Sequence, residues 1–174
     1  MTVIREVVDG DIDALAHVHT RSWQVAYRGQ LPDDLLDRLD PGRRADAWRN
    51  LRDQEGPSVL AAFDGRGETS RLLGFVCVGA SRDDDADSDC GELQAIYVDP
   101  DHWGSGYGSE LLRRGVQRLR EDGYRRATLW VLETHVAAHR FYEHRGWRQD
   151  GAAKTQEARG LAITEIRYSL DLTS

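Results

Sequence analysis

The stretch Glu92-Leu-Gln-Ala-Ile-Tyr-Val-Asp-Pro-Asp-His-Trp-Gly-Ser-Gly-Tyr-Gly-Ser109 decides the fold of this chain. It has the pattern of an apolar strand, a turn at a proline, and a run of glycines that opens a helix. Gly104, Gly106 and Gly108 let the backbone approach an oxyanion closely, and the free N–H groups at a helix start attract negative charge. The pattern predicts a cradle for a pyrophosphate group, although a simple strand-to-helix turn has the same composition.

Other phosphate-binding patterns do not fit this turn. The chain lacks the GxxxxGK[ST] sequence of an ATP-type phosphate loop. The glycines lie late in the chain and no acidic residue closes a βαβ unit behind them, which argues against a dinucleotide fold. A formal net charge of −7 repels polyanions, so we expect no nucleic acid partner.

A second informative stretch is Leu129-Trp-Val-Leu-Glu-Thr-His-Val-Ala-Ala-His-Arg-Phe-Tyr-Glu-His-Arg-Gly-Trp147, a strand followed by a short helix. The two stretches together resemble the GNAT acetyltransferase superfamily, in which the glycine turn binds pyrophosphate and the late helix completes the CoA site. The resemblance is specific over Glu92–Trp147 and extends weakly to Ser22–Tyr27, Leu31–Pro32 and Leu73–Phe75. It implies a small bacterial-type N-acetyltransferase that moves an acetyl group from acetyl-CoA to a primary amine.

The resemblance also implies which residues contact the cosubstrate. They form a strand beside the pantetheine arm, the glycine turn beside the phosphates, and one face of the late helix: Ile96, Tyr97, Val98, Trp103, Gly104, Ser105, Gly106, Tyr107, Gly108, Ser109, His135 and Ala138. Two positions depart from the family pattern. Trp103 occupies the position of the arginine in the family pattern Arg-x-x-Gly-x-Gly. Because one cation near the phosphates is then missing, we expect weaker CoA binding. His135 stands where the family often has Asn, so we expect an altered pantetheine contact.

Acetyl transfer to an amine needs an oxyanion donor, a proton for the departing thiolate and a base for the amine. By the resemblance, the Val98 N–H is the oxyanion donor. Tyr142, which lies on the same helix face as His135, is the general acid. Glu92 is the expected base, directly or through water, with His19 as its substitute. Each side chain also has a plainer explanation, because Tyr142 and His19 fit core positions and Glu92 fits a strand edge.

The acceptor is less defined than the donor. Trp23 and Tyr27 close the first helix where the family builds its acceptor pocket, but they also fit core packing. A small-molecule amine is the favoured acceptor, and a protein N-terminus or lysine is the alternative. The attack is expected to be direct in a ternary complex, because Cys77 and Cys90 lack an adjacent base in the sequence. A protein of another class, a non-catalytic acetyl-CoA sensor, fits the same motifs.

The resemblance implies an α/β (α+β) fold with a mixed, mostly antiparallel sheet of about seven strands flanked by helices. The CoA would lie between two central parallel strands. One domain spans residues 1–174, with substrate-side helices at about 10–53 and the CoA-binding core at about 92–147.

Local patterns predict further elements along the chain. Asp9 or Asp11 is expected to cap the first helix with its side chain. Two strands are expected to form a hairpin around Asp64–Gly67. The aspartate-rich run Asp83–Asp89 and the polar segment Gly151–Gly160 are both predicted to be loops, the first of them mobile.

The composition and the apolar segments indicate where in the cell the protein is expected. The chain has 174 residues, of which 40% are apolar and 30% charged, as in globular proteins. No apolar segment has the length of a signal peptide core or a membrane span, so we expect a cytoplasmic protein without membrane contact. The two cysteines and the histidines show no metal-ligand spacing, so we expect no metal. A homodimer is possible.

Overall fold

The computed structural model describes residues 2–52, 56–65, 70–158 and 160–173. The strands are β1 (Thr2–Glu6), β2 (Ser58–Asp64), β3 (Arg71–Ala80), β4 (Cys90–Val98), β5 (Arg126–Leu132), β6 (Arg148–Ala158) and β7 (Leu161–Asp171). The α-helices are α1 (Ile12–Ala26), α2 (Asp33–Asp37), α3 (Pro41–Arg52), α4 (Tyr107–Glu121) and α5 (Val136–Glu143). Short 3₁₀ turns at Asp9–Asp11 and Pro100–His102 precede α1 and the glycine turn.

The strands form one sheet in the order β1-β2-β3-β4-β5-β7-β6. Among the described strands, only β4 and β5 pair in parallel, so the predicted mixed and mostly antiparallel sheet is confirmed. The parallel pairing begins at Cys90 opposite Arg126 and ends at Glu92 opposite Thr128. Beyond Glu92 the two strands separate, which opens a gap at the centre of the sheet.

An irregularity in β4 coincides with the opening of this gap. Cys77 of β3 lies opposite Ala95, whereas the next residue, Val78, lies opposite Leu93. Gln94 is therefore the extra residue of a β-bulge. Leu93 packs on the α4 side of the sheet, while Ala95 and Tyr97 pack on the side of α1 and α3. The bulge thus changes which side chains face each layer in the second half of β4.

Helices cover both faces of the sheet. On one face, α4 buries Leu111, Leu112 and Leu119 against the central strands. On the other face, α1 and α3 pack together over β2 and β3, with Ile12, Leu15 and Trp48 among the buried side chains. The amphipathic spacing of α1 and α4 explains this arrangement, because one face of each helix is apolar. The sheet is the middle layer, and its central gap opens between the two helical layers.

Two local predictions were wrong. Asp11 makes no side-chain cap on α1, because its carboxylate accepts hydrogen bonds from Arg5 at 2.7 and 3.0 Å and from the Val8 N–H. The polar segment Gly151–Gly160 belongs largely to β6, which pairs with β7. Polar cross-strand pairs, such as the Thr155 and Thr164 hydroxyls 2.9 Å apart, stabilise this edge without apolar alternation.

The other two loop predictions have different outcomes. The antiparallel pairing of β2 with β3 confirms the hairpin, but Arg66 and Gly67 of its predicted turn lie outside the described residues. The aspartate-rich run does form a connection between β3 and β4. It is anchored, however, because Arg167 of β7 donates hydrogen bonds to Asp83 and Asp85.

Candidate functional site

The gap between β4 and β5 continues into a cleft of about 600 Å³. Its walls come from the second half of β4, the start of α4, the end of β5, α5 and the end of α1. The predicted site residues that line it are Tyr27, Ile96, Tyr97, Val98, Trp103, Gly104, Gly106, Tyr107, Gly108, Ser109, His135, Ala138 and Tyr142. The remaining predicted residues, Glu92, Ser105, His19 and Trp23, are not among the residues that line the cleft.

The glycine turn forms one end of the cleft. Gly104 and Gly106 have φ angles of 76° and 86°, in the left-handed region that disfavours other residues. The first hydrogen bond of α4 runs from the Glu110 N–H to the Gly106 carbonyl. The N–H groups of the first helical turn therefore have no helical acceptor and are available to an anion.

An arginine that the sequence interpretation missed stands beside this turn. The Arg145 guanidinium lies 3.9 Å from the centre of the Phe141 ring and donates to the Phe141 carbonyl and to the Ser109 hydroxyl. Arg145 lines the cleft, and within the described part of the chain no carboxylate lies within 4.0 Å of it. It follows the Phe-Tyr-Glu of the late helix in sequence, but only the folded chain brings it to α4.

Trp103 holds the strand end in place. Its indole N–H donates to the Val98 carbonyl at 2.8 Å, and the Ser22 hydroxyl donates to the same carbonyl at 2.9 Å. The neighbouring Asp99 N–H donates to Leu73 of β3. Because N–H groups alternate between the two edges of a strand, the Val98 N–H faces the opposite edge, toward the gap. This is the orientation that an oxyanion donor needs.

Tyr142 lies on the α5 wall of the cleft, together with His135 and Ala138. Burial raises the pKa of the Tyr142 phenol well above its ordinary value, so the hydroxyl keeps its proton at neutral pH. Within the described residues, its hydroxyl has no hydrogen-bond partner, and it is not fully enclosed. Burial lowers the pKa of His135, so this ring is neutral as well. The wall therefore presents a protonated phenol to the cleft.

Glu92 lies behind the start of the gap and is 3% exposed. Arg82 donates to both carboxylate oxygens, at 3.1 Å from Nε and 2.5 Å from Nη2, and its backbone N–H adds a third bond at 2.9 Å. Arg82 thus engages both carboxylate oxygens, and Glu92 is not among the residues that line the cleft. Direct contact with an amine would require a rearrangement of Arg82.

His19 and Trp23 lie behind two tyrosines of the cleft, Tyr97 and Tyr27. Burial, and then the positive charge of Arg44, lower the pKa of His19 to about 3. A ring with this pKa is neutral and is a poor base near pH 7. His19 stacks on Tyr97 with ring centres 4.8 Å apart, and Trp23 contacts Tyr27 with ring centres 5.0 Å apart. These residues support the two tyrosines that line the cleft.

The cysteines do not supply a nucleophile at the cleft. Both are buried, and neither is among the residues lining the cleft. Burial raises the pKa of the Cys77 thiol to about 12, which keeps it protonated and unreactive. Among the described residues, no group of three or more His, Cys, Asp or Glu side chains is placed to bind a metal ion.

In the described part of the chain, every helix is either too short or too polar to reach across a bilayer.

The cleft has the volume and the anion-binding end that acetyl-CoA needs, since a pocket of several hundred Å³ suits such ligands. The free N–H groups of α4 and the Arg145 guanidinium would hold the phosphates, and the open edge of β4 would pair with the pantetheine amides. Sheet topology, gap and phosphate cradle together define an acetyl-CoA-dependent acyltransferase.

Comparison with known proteins identifies the family. The sequence pattern of the Acetyltransferase (GNAT) family matches residues 13–147, so the chain belongs to this family. An uncharacterized N-acetyltransferase of Bacillus subtilis, YuaI, is 31% identical over 133 residues, covering 76% of this chain and 73% of YuaI.

Solved structures share the fold along the whole chain. An N-acetyltransferase from Staphylococcus aureus superimposes with a TM-score of 0.77 at 19% identity and covers 99% of both chains. The yncA structure from Salmonella typhimurium, solved with its cofactor acetyl-CoA, gives a TM-score of 0.72 at 23% identity and covers 98% and 94% of the two chains. These likenesses show the fold.

Proposed function

We propose that this enzyme transfers the acetyl group directly to the primary amine of a small molecule in a ternary complex. One observation carries the proposal: the unpartnered Tyr142 hydroxyl lines the same cleft as the open edge of β4. Bound acetyl-CoA supplies an activated acyl carbon and a thiolate leaving group. The protein has to place the amine, stabilise the negative charge on the acyl oxygen, and protonate the sulfur.

The position of each residue supports its proposed role. The Val98 N–H stabilises the acyl oxygen as the amine attacks, because it faces the gap. As the new C–N bond forms and the C–S bond breaks, the Tyr142 hydroxyl donates its proton to the sulfur. Its raised pKa keeps that proton available until the thiolate develops.

Removal of the amine proton is the least direct step. Because Arg82 engages Glu92 on both oxygens, we propose that Glu92 acts through a water chain rather than by contact with the amine. The proton leaves the attacking nitrogen and returns to solvent along this chain. His19 does not suit the role, since its pKa of about 3 makes it a weak base.

Aromatic side chains in the cleft support a compact acceptor. Tyr27, Tyr97 and Trp130 are among the residues that line it. Aromatic walls of this kind favour a small ligand held by stacking and a few polar contacts. The protein-substrate alternative would need an open channel for an extended peptide.

The test is thiol release from acetyl-CoA over a panel of amino acids, polyamines, aminoglycosides and short peptides, with CoA binding measured by calorimetry. Release with the small amines supports the proposal, and release with peptides alone would replace it with the protein-directed alternative. Tyr142→Phe should lower kcat by about 100-fold or more while CoA binding stays unchanged. CoA binding without release by any amine, and with no effect of Tyr142→Phe, would indicate the sensor.

A further inference from the structure

Lysine is almost absent from this chain. Of its 23 lysine and arginine residues, one is a lysine, Lys154. It lies in the edge strand β6 opposite Glu165 of β7, and Glu165 in turn lies opposite Leu132 of β5. The Lys154 side chain is 43% exposed. An enzyme that acetylates amines therefore carries one lysine amine of its own, and solvent reaches that side chain.

The Lys154 ammonium reaches inward across the sheet to a residue of the cleft. Neighbouring strands lie about 4.8 Å apart, so the backbone of Lys154 is about 10 Å from that of β5, two strands away. Its Nζ nevertheless lies 4.1 Å from the centre of the Trp130 ring, which belongs to β5. Trp130 lines the cleft, and it lies just beyond Thr128, where the pairing of β5 with β4 ends. The lysine amine thus contacts a side chain that borders the gap.

A carboxylate accompanies this amine on the same face of the sheet. Lys154, Glu165 and Leu132 are cross-strand neighbours, so their side chains share one face, and Leu132 lines the cleft. The Lys154 ammonium lies 3.4 Å from the Glu165 carboxylate. Burial raises the pKa of the Tyr27 and Tyr97 phenols, and the negative charge of Glu165 adds to this effect on both. The amine and a proton acceptor therefore lie together on the face that bears these cleft residues.

We propose that Lys154 is a self-acetylation site, to which the enzyme transfers one acetyl group from bound acetyl-CoA when no acceptor is present. This inference rests on the proposed direct transfer. The lysine stem is flexible, so rotation about its bonds moves Nζ from the face of Trp130 toward the gap. Because the amine is tethered beside the cleft, its effective concentration at a bound thioester is far higher than that of a lysine elsewhere on the surface.

The reaction is the proposed transfer with an internal amine. The ammonium first passes a proton to Glu165, its ion-pair partner. The neutral nitrogen then attacks the thioester carbon, so that a C–N bond forms and the C–S bond breaks, while Tyr142 protonates the departing sulfur. The nitrogen releases a second proton as the amide forms; one of the two protons restores the Tyr142 phenol, and the other leaves to solvent. The products are acetyl-lysine, which is uncharged, and the CoA thiol.

The experiment incubates the purified enzyme with acetyl-CoA and without acceptor, and follows the intact mass and the mapped peptides by mass spectrometry. Wild type should gain one acetyl group on Lys154 and release an equal amount of thiol. Lys154→Arg, which keeps the positive charge beside Glu165, should gain none at this position. An excess of CoA, which competes for the cleft, should suppress the reaction, and Tyr142→Phe should slow it. Acetylation that neither CoA nor Tyr142→Phe affects would overturn the inference.

A matched variant separates catalysis from chemical acetylation of an exposed lysine. In a Lys154→Arg background, Arg113→Lys places the single lysine on α4, where the Arg113 side chain pairs with Glu110 at 2.6 Å and is 61% exposed. Arg113 is not among the residues that line the cleft. Wild type should be acetylated at least about tenfold faster than this double variant, because Lys154 alone is tethered beside the cleft. Equal rates at the two positions would overturn the inference.

Enzyme dilution and added amines complete the test. At saturating acetyl-CoA, the half-time for acetylation of Lys154 should not change on dilution, because the reaction takes place within one molecule. A half-time that lengthens on dilution would overturn this assignment. Acetylation of Lys154 without thiol release by any added amine supports the inference and fails only the small-molecule acceptor. Turnover of a small amine by an enzyme whose Lys154 stays unmodified without acceptor overturns the inference and leaves the proposed function standing.

Discussion

The position of Arg145 predicts a measurable share of CoA binding. The residue adds a cation beside the first turn of α4, where Trp103 leaves the family's usual arginine position uncharged. We expect Arg145→Met to weaken CoA binding, because a methionine keeps the apolar contact with Phe141 but cannot donate to a phosphate. A hydrogen bond to an ionised group contributes about 1.5–3 kcal/mol, and the exposed Arg145 side chain favours the lower end. A loss of about 1.5 kcal/mol corresponds to about a tenfold higher Kd.

The assay is calorimetric titration of CoA into wild type, Arg145→Met and Arg140→Met. Arg140 carries the same charge on the exposed side of α5 and is not among the residues that line the cleft, so its variant controls for net charge. The difference between wild type and Arg145→Met should shrink as salt rises from about 0.05 to about 0.5 M, because salt screens an exposed charge. Equal Kd values for Arg145→Met and wild type at low salt would refute the reasoning.

Three other outcomes follow from the structure. Gly106→Ala should lower the free energy of unfolding by about 1–2 kcal/mol in urea titrations, because φ is 86° there, whereas Gly10→Ala, in open space, should cost less. His19 has a pKa of about 3 when folded and 6.5 when unfolded, so the unfolded state binds more protons in that window. The free energy of unfolding should fall by about 1.4 kcal/mol per pH unit on acidification through it, and His19→Asn should lose that share of the slope. Glu92→Gln should lower kcat/KM at least about tenfold across about pH 6 to 9 and should also lower the melting temperature, because it breaks the ion pair of the buried carboxylate with Arg82. A full rate would remove Glu92 as the base.

The sequence patterns that predicted the fold are local ones. The strand, proline turn and glycines of 92–109 appear as β4 and the start of α4, and the strand and helix of 129–147 appear as β5 and α5. These elements are predictable because apolar periodicity and glycine placement act over a few residues. The part of β6 after Asp150 was predicted as a loop because its pairing with β7 depends on polar cross-strand contacts rather than on an apolar face.

The sequence predicted the site residues that belong to β4, the glycine turn and α5, because the path of the backbone brings these elements to the cleft. The partners of Glu92 and Arg145 were not predictable, since each pairing joins side chains that distant segments bring together. Arg82 reaches Glu92 across a hairpin, and Arg145 reaches Ser109 from another helix.

At the bulge at Gln94, the odd- and even-numbered residues of β4 exchange the faces of the sheet on which their side chains pack. Before it, odd-numbered residues such as Leu93 belong to the α4 layer; after it, Ile96 and Val98 belong to that layer and Tyr97 turns to the other. A strand of the same composition with one residue fewer would exchange these roles, so that Tyr97 would enter the α4 core and leave the layer of α1 and α3. Insertions or deletions of single residues between Glu92 and Val98 are therefore far less tolerable than substitutions, because the number of residues in this strand decides which layer each of its side chains joins.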